Sequence, residues 1–312
     1  MILAVSLNPA LDVTYHIDET IRPHATHRVR RVDVAAGGKA LNVARVLDTL
    51  GTRVTVTGLL GGTNGDKITA ALPATVPHTF VPIDGESRAT IVVADGTDAT
   101  GFFEAGPTIT AAAWAGLRRR VAGFLPVANV VVLSGSMPPG LSTDAYAELV
   151  RASVEHGRYT VLDADGEALT AALRHHPDVI KPNTAELAAA VPELDTSTID
   201  GAFAAADRLR EAGARAVVAS RGADGLIAVA EDGTRWQATL GEALAGNPTG
   251  AGDACVAGLV RGVQYGYDWP GRLREAVALS AAAVLSPVAG AVDVHDYLRF
   301  RRRVTVTERP PP

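Results

Sequence analysis

The chain has 312 residues, of which 47% are hydrophobic, and its 29 Lys and Arg residues against 34 Asp and Glu residues give a net charge of −5. This balance gives no global reason to expect nucleic acid or an acidic membrane surface as a partner. A single cysteine, Cys255, the absence of a basic signal-peptide segment and the lack of a bilayer-length apolar run lead us to expect a cytoplasmic protein that does not bind membranes.

The first apolar run, residues 1–7, predicts a buried strand that ends in an Asn8-Pro9 turn followed by Asp12. Polar residues at the carboxyl end of such a strand commonly face the ligand crevice of an open α/β sheet. The alternative is that Asp12 is an ordinary turn residue. Residues 13–34 lack helical periodicity and are rich in β-branched side chains, which predicts flap or edge strands.

A glycine pair at 37 and 38 precedes Lys39 and a helical pattern of apolar residues from Val43 to Leu50. The free N–H groups of a helix start can bind an anion, and Lys39 adds a full positive charge there. Asn42 lies one turn further and can face the same crevice. The alternative is a glycine turn that carries a solvated lysine.

Residues 89–94 and 99–104 predict a hairpin that follows the turn containing Arg88. Together with the earlier flap strands it would form a small lid, with lid strands at approximately 12–36 and 86–104. The planar guanidinium of Arg88 suits a phosphate, although a surface arginine beside a turn is the alternative. One face of so small a sheet needs a partner, and pairing two lids in a homodimer would supply it.

Three further strand ends carry polar or glycine-rich turns. Residues 130–133 run into a loop with Ser136, and residues 216–219 run into a turn with Ser220, Gly222 and Gly225. In the third turn, Asn183 and Glu186 are three residues apart at a helix start. Their amide and carboxylate oxygens could order water around Mg²⁺, but the same spacing is that of a capping box.

The stretch 247–258 contains Gly250-Ala251-Gly252 directly before Asp253, and then a buried helical pattern. Asp253 has two interpretations. It could be a helix N-cap, which requires no chemistry. Alternatively it could accept a proton from a hydroxyl, while the amides of the glycine turn stabilise charge on a transferred phosphoryl group.

The sequence Asn-Pro-Thr-Gly-Ala-Gly-Asp-Ala-Cys-Val-Ala-Gly at 247–258 resembles the C-terminal signature of the ribokinase-like carbohydrate kinases, also called the phosphofructokinase B family. The segments at 6–12 and 37–47 are similar to its hexose-phosphate kinase branch, typified by 1-phosphofructokinase and tagatose-6-phosphate kinase. The resemblance implies ATP-dependent phosphorylation of a hexose phosphate with Mg²⁺ as cofactor. Fructose 1-phosphate is the first expected substrate, followed by tagatose 6-phosphate or fructose 6-phosphate.

The resemblance also implies roles for individual residues, which match the family's motifs position by position. The catalytic group consists of the base Asp253 and the anion hole at Gly250, Ala251 and Gly252. The sugar phosphate is expected on Asp12, Gly38, Lys39, Asn42, Arg88 and Ser136. The nucleotide is expected near Lys181, Asn183, Ser220, Gly222, Gly225 and Asn247, and the metal near Glu186 and, through water, Asn183. The chain departs from the branch at Ala40, Thr90 and Phe103.

The alternation of strands and helices predicts an α/β fold: a three-layer structure with a mainly parallel central sheet, helices on both faces and the small β-sheet lid. We expect one domain over residues 1–308 and a disordered tail at 309–312. A helix over 272–285 is expected beside the adenine pocket. Three other functions remain open: a ribokinase-type sugar or nucleoside kinase, a dinucleotide-dependent oxidoreductase, which the missing third glycine disfavours, and a non-catalytic sugar-phosphate sensor.

Overall fold

The computed structural model describes residues 1–96, 99–286, 288 and 290–310. The strands, numbered in chain order, are β1 Ile2–Ser6, β2 Ala10–His16, β3 Arg31–Gly37, β4 Val54–Leu60, β5 His78–Pro82, β6 Arg88–Ala94, β7 Ala99–Phe103, β8 Val130–Ser134, β9 Tyr159–Asp163, β10 Val179–Ile180, β11 Ala216–Ser220, β12 Leu226–Val229, β13 Arg235–Thr239 and β14 Thr305–Arg309. The helices are α1 Lys39–Thr49, α2 Gly62–Ala71, α3 Ala111–Phe124, α4 Ala145–Glu155, α5 Gly166–Leu173, α6 Thr184–Ala190, α7 Ile199–Glu211, α8 Ala251–Gln264, α9 Trp269–Val284 and α10 Val294–Arg301.

The larger sheet has the strand order β14-β13-β12-β11-β10-β9-β8-β1-β4-β5. The strands from β11 to β5 are parallel, whereas β12, β13 and β14 add antiparallel pairs at one edge. The carboxyl ends of the parallel strands therefore meet along one side of the sheet.

Both faces of this sheet are buried, as continuous apolar strands predict. In β1, Ile2 and Ala4 pack into one hydrophobic cluster, with side chains from α1, α8, α9 and α10. Leu3 and Val5 pack into a second cluster on the opposite face, with side chains from α3, α4, α5 and α7. The predicted three-layer α/β fold is confirmed.

The second sheet is the lid, with strand order β3-β2-β6-β7. Strands β2 and β6 are parallel, and the two outer pairs are antiparallel. The expected combination of the early flap strands with the later hairpin is therefore present. The hairpin lies within the predicted range 86–104, whereas β2 begins two residues before and β3 ends one residue after the predicted range 12–36.

The helix starts differ in a way that matters for the cleft. Helices α3, α7 and α9 begin after Thr110, Thr198 and Asp268, whose side chains accept an N–H group of the first turn. Helices α1 and α8 begin after Gly38 and Gly250, which have no side chain that could do so. Some of their first-turn N–H groups are open to another acceptor, whereas those of Leu41 and Ala251 donate to the carbonyls of Gly38 and Pro248.

The C-terminal segment differs from the expected disordered tail at its first residue. Arg309 is the last residue of β14, and its guanidinium donates to Gln237 Oε1 over 2.9 and 2.6 Å. Pro311 and Pro312 lie outside the described residues. Within the described ranges, no helix combines the length and apolar character needed to cross a membrane.

Candidate active site

A cleft of about 1100 Å³ lies between the carboxyl ends of the parallel strands and the lid. This is the edge at which open α/β sheets bind ligands. Of the residues predicted to form the site, all but one line this cleft: Asp12, Gly38, Lys39, Asn42, Arg88, Ser136, Lys181, Asn183, Glu186, Ser220, Gly222, Gly225, Gly250, Ala251, Gly252 and Asp253.

The exception is Asn247, which is not among the residues that line the cleft. Its side-chain oxygen accepts the N–H of Thr249 over 3.0 Å, and its own N–H donates to the carbonyl of Val284 over 2.8 Å. Asn247 therefore shapes the turn before α8 rather than presenting its side chain to the cleft.

Asp253 is the third residue of α8 and is not its N-cap. The N-cap position belongs to Gly250, whose φ of 84° is left-handed. The N–H of Ala251 is already bonded to the carbonyl of Pro248, so only part of the predicted glycine turn is available to an anion. The N–H groups of Gly252 and Asp253 have no acceptor among the described residues. The N-cap interpretation of Asp253 is therefore wrong.

The carboxyl group of Asp253 is 7% exposed and receives one hydrogen bond, from Asn42 Nδ2 to its Oδ2 over 2.8 Å. Burial raises the pKa of Asp253 to about 7, and the nearby negative charge of Asp163 adds to this rise. The Asn42 hydrogen bond and the ammonium groups of Lys39 and Lys181 act in the opposite direction. Asp253 is thus a carboxyl group whose proton affinity is suited to accepting a proton near neutral pH.

Two lysines meet at a buried carboxylate beside Asp253. Asp163 Oδ1 lies 3.3 Å from Lys39 Nζ and 3.4 Å from Lys181 Nζ. Lys39 Nζ is also 3.7 Å from Glu186 Oε1. Burial lowers the pKa of Lys39, but the carboxylates of Asp163, Glu186 and Asp253 outweigh it and raise the pKa above its usual value. Both lysines therefore remain positively charged.

Asp163 lines the cleft but was not among the site residues that the sequence analysis named. It ends β9 and is 1% exposed, and its Oδ2 accepts a hydrogen bond from Ser134 Oγ over 3.1 Å. Burial would raise its pKa, but the charges of Lys181 and Lys39 lower it below the usual value. Its position at a strand end is the same signal that identified Asp12, so the sequence contained a clue to it.

Asn183 and Glu186 form the capping box that was the alternative to metal binding. Asn183 Oδ1 accepts the N–H of Glu186 over 2.9 Å, and Glu186 Oε2 accepts the N–H of Asn183 over 2.8 Å. This arrangement leaves Glu186 Oε1 facing Lys39 in the cleft. The capping box therefore does not exclude the predicted role of Glu186 in holding a metal ion in the cleft.

The lid end of the cleft contains Asp12 and Arg88. Burial raises the pKa of Asp12 to about 6, against the opposing charges of Arg88 and Arg45 and a hydrogen bond from Thr90. The Asp12 carboxyl group packs directly on Gly37, where a Cβ would lie 2.0 Å from Asp12 Cγ. Position 37 therefore has to be glycine for Asp12 to take this place.

Two of the positions that depart from the branch pattern, Thr90 and Phe103, also line this end of the cleft. Phe103 is 67% exposed although it lies at the cleft. The third, Ala40, is fully buried in α1.

The opposite end of the cleft is apolar, and the sequence did not define its walls. Its lining side chains come from β12, from the loop after β13 and from α9: Leu226, Leu240, Leu244, Val277, Ala281 and Val284. The predicted alanine-rich helix does border this end, although it begins at Trp269 rather than at residue 272. A flat apolar ring system would fit such a surface.

The lid, the parallel sheet and a buried carboxylate at an anion-receptive helix start together define a phosphotransferase with a ribokinase-like fold. The model of the pfkB family carbohydrate kinases matches residues 6–295. The chain therefore belongs to the pfkB family of carbohydrate kinases and acts as a phosphotransferase on a sugar hydroxyl. The predicted resemblance is confirmed.

Solved structures agree with this assignment. Phosphofructokinase-2 from Escherichia coli in complex with fructose-6-phosphate has a TM-score of 0.87 and 26% identity, over 96% of this chain and 98% of that chain. A possible 1-phosphofructokinase from Thermotoga maritima has a TM-score of 0.88 and 26% identity, over 99% of both chains. Ribokinase from Arabidopsis thaliana complexed with ribose and ATP has a TM-score of 0.75 over 96% and 98% of the two chains, and at 19% identity it supports the fold alone.

Proposed function

We propose that this protein transfers the γ-phosphoryl group of ATP to a hydroxyl of a hexose phosphate, with Asp253 as the base. Membership of the family already makes it a phosphofructokinase-like sugar-phosphate kinase that uses ATP. The observation that carries the finer proposal is the position of Asp253. It lies at the start of α8, between the charged lid end and the apolar end of a single cleft.

The sugar phosphate belongs, in this proposal, at the lid end. Asp12 and Asn42 would form hydrogen bonds with its hydroxyl groups. Arg88 would bind its phosphate, because a guanidinium group matches the geometry of phosphate oxygens. Lys39 is already paired with Asp163 and Glu186, so it acts closer to the transferred phosphoryl group than to the sugar phosphate. The first expected substrate remains fructose 1-phosphate, followed by tagatose 6-phosphate and fructose 6-phosphate.

ATP would lie with its base at the apolar end and its phosphates toward Lys181, Ser220 and the start of α8. A group of three or more His, Cys, Asp or Glu side chains able to hold a metal ion is not found among the described residues. Glu186 lines the cleft with its Oε1 3.7 Å from Lys39 Nζ, and a single carboxylate there fits Mg²⁺ held mainly by water and phosphate oxygens, as this ion prefers. When bound, the ion would neutralise charge on the phosphates of ATP.

The chemistry assigned to the protein is positioning and charge stabilisation, which dominate phosphoryl transfer. Asp253 accepts the proton of the sugar hydroxyl, and Asn42 holds the carboxylate in place through its 2.8 Å hydrogen bond. The free N–H groups of Gly252 and Asp253 and the ammonium groups of Lys39 and Lys181 would stabilise the charge on the transferred group. The lid would exclude water, which competes with the sugar hydroxyl.

The test is Mg²⁺-dependent ADP release from ATP with a panel of acceptors: fructose 1-phosphate, fructose 6-phosphate, tagatose 6-phosphate, fructose, ribose and common nucleosides. We expect turnover with a phosphorylated hexose only. Turnover confined to ribose, fructose or a nucleoside would instead favour the ribokinase-type alternative and remove the role of Arg88. Binding of a hexose phosphate without turnover would favour the sensor.

We also propose that the lid mediates a homodimer. Strand alternation places Val32, Val34 and Phe102 on the lid face opposite Asp12, and these side chains are 51%, 52% and 56% exposed. An exposed apolar sheet face of this kind is stabilised when a second copy covers it. Light scattering at micromolar concentration should give a dimer mass for the wild type, and a monomer mass there would remove this proposal.

A further inference from the structure

Asn8 occupies the junction between the central sheet and the lid. It lies between β1 and β2 and is 5% exposed. Its Nδ2 donates to the carbonyl oxygen of Ala105 over 2.9 Å and to Ser136 Oγ over 3.2 Å. One buried amide thus contacts both the segment that leaves the lid after β7 and a residue that lines the cleft.

These two partners determine how the amide and the hydroxyl are oriented. The carbonyl of Ala105 can only accept, so the nitrogen of Asn8 and not its oxygen must face it. The same nitrogen donates to Ser136 Oγ, so the hydroxyl accepts in this contact and its own hydrogen remains free. Ser136 is exposed in the cleft wall and therefore presents a donor to a bound ligand. A donor is what a phosphate or sugar oxygen requires.

Two further contacts hold Asn8 in this junction. The main-chain carbonyl oxygen of Asn8 accepts a hydrogen bond from Nε of Arg88, the first residue of the lid strand β6, over 3.1 Å. Gly106 packs against the side chain, and a Cβ at that position would lie 2.3 Å from Asn8 Oδ1. Gly106 also has a φ of 93°, which favours glycine. Asn8 is therefore enclosed by three segments that meet at the base of the lid.

We propose that Asn8 is a positioning residue for the sugar-phosphate site, which orients the Ser136 hydroxyl as a donor and ties it to the segment that leaves the lid. This inference deepens the proposed function and rests on it. Asn8 acts through Ser136 and does not touch the substrate. Because Ala105 follows β7 directly, the position of the lid and the orientation of Ser136 depend on the same amide.

The experiment compares Asn8→Ala, Ser136→Ala and the double variant, with fructose 1-phosphate and fructose 6-phosphate as the probes. Asn8→Ala should raise the KM of the sugar phosphate about tenfold, because Ser136 loses the partner that orients it. The KM of ATP should change less than about twofold. In the Ser136→Ala background, Asn8→Ala should raise the KM of the sugar phosphate by less than about twofold more, because the two residues act as one unit.

Asn64→Ala is the matched control. Asn64 Nδ2 donates to the carbonyl of Ser87 over 2.9 Å, so it also ties a segment to the base of the lid, but it is not part of the cleft wall. We expect it to leave both KM values near those of the wild type. Asn8→Asp keeps the size of the side chain, replaces the donor NH2 group by an acceptor oxygen and adds a negative charge, so it serves as a second variant if Asn8→Ala does not fold. We expect Asn8→Asp to raise the sugar-phosphate KM as Asn8→Ala does.

Three outcomes would overturn the inference: an unchanged sugar-phosphate KM in folded Asn8→Ala or Asn8→Asp, an equal rise in Asn64→Ala, or independent effects in the double variant. Calorimetric binding of the same two sugar phosphates separates this result from the kinase proposal. If the wild type binds one of them without turnover, the kinase proposal fails, and the tenfold effect is then sought in the Kd. If the wild type binds neither of them nor tagatose 6-phosphate, both proposals fail.

Discussion

Replacing Asp253 by Asn tests the proposed base with little change in shape. The amide oxygen of the variant can still accept the hydrogen bond from Asn42, so the local packing is retained. The variant cannot accept the proton of the sugar hydroxyl, and such a loss typically lowers a rate by about 10² to 10⁴-fold. We expect kcat to fall by this amount while the KM of ATP changes little, because the nucleotide base is proposed to bind at the other end of the cleft.

The same substitution should stabilise the fold at high pH. Burial and Asp163 raise the pKa of Asp253 from 3.8 to about 7. A raised carboxyl pKa contributes stability below pH 4 that is lost as the pH rises through 7. At about 1.4 kcal/mol per pKa unit, ionisation costs the wild type about 4 kcal/mol at pH 8. Because Asn carries no charge, Asp253→Asn should have the larger free energy of unfolding at pH 8, and the gain should shrink toward pH 4.

The assays are ADP release for activity and urea unfolding at pH 4 and pH 8 for stability. Asp296→Asn is a matched control, because Asp296 is also the third residue of its helix, α10, and lies outside the cleft. This control should keep wild-type turnover. Near-normal turnover of Asp253→Asn, or a loss of activity accompanied by lower stability at pH 8, would refute the assignment of Asp253 as a buried base.

Three further predictions concern the pH profile, the sugar-phosphate end of the cleft and the buried core. Because the pKa of Asp253 is about 7, kcat/KM should fall as the pH decreases below 7. Asp163→Asn should lower the midpoint of this fall, because it removes a negative charge that raises the pKa of Asp253. An unchanged midpoint in ADP-release assays would contradict the effect of Asp163 on Asp253. Arg88→Ala should raise the KM of the sugar phosphate roughly 10- to 100-fold. Arg118→Ala, which loses a pair with Glu148 and a contact over the Trp114 ring outside the cleft, should not, and equal KM values in the two variants would remove the proposed phosphate contact. Glu275 is fully buried and contacts Arg261, Arg301 and Tyr297. Glu275→Ala should therefore lower the free energy of unfolding, measured by urea titration, by about 3–5 kcal/mol. A loss below about 1 kcal/mol would be inconsistent with a buried ion-pair network.

Many of the residues that line the cleft could be predicted from short sequence patterns, because they lie at the ends of strands and at the starts of helices. The apolar runs followed by Ser136 and Ser220 predict strands whose carboxyl ends meet at one edge, and both residues line the same cleft. Asp12 lines the cleft too, but as the third residue of the lid strand β2 and not at the carboxyl end of β1, where it was expected. The helices α1 and α8, which begin after Gly38 and Gly250, were recognised by the same means. Neither inference required a long-range contact. The limits of local pattern appear at Asn247, which has the motif's sequence but whose side chain accepts the N–H of Thr249 in its own turn and does not line the cleft.

Asp163 and Asn8 illustrate what local pattern could not supply. Lys39 and Asp163 are 124 positions apart in the chain, and Asn8 and Ser136 are 128 apart. Nothing near Asp163 in the sequence indicates that two lysines will converge on it. Nothing near Asn8 indicates that a cleft serine and the segment after the lid will share its amide.

By itself, the amino-acid sequence determined the alternation of strands and helices, the glycine turns that start α1 and α8, and the enzyme family to which the chain belongs, because these depend on periodicity and on short motifs. It did not predict the edge strands β13 and β14. The tertiary structure decided which carboxylates pair with lysines, which N–H groups stay free and how far the pKa of Asp253 rises. Those properties depend on burial and on distances of a few ångströms between residues far apart in the chain, which no local pattern encodes.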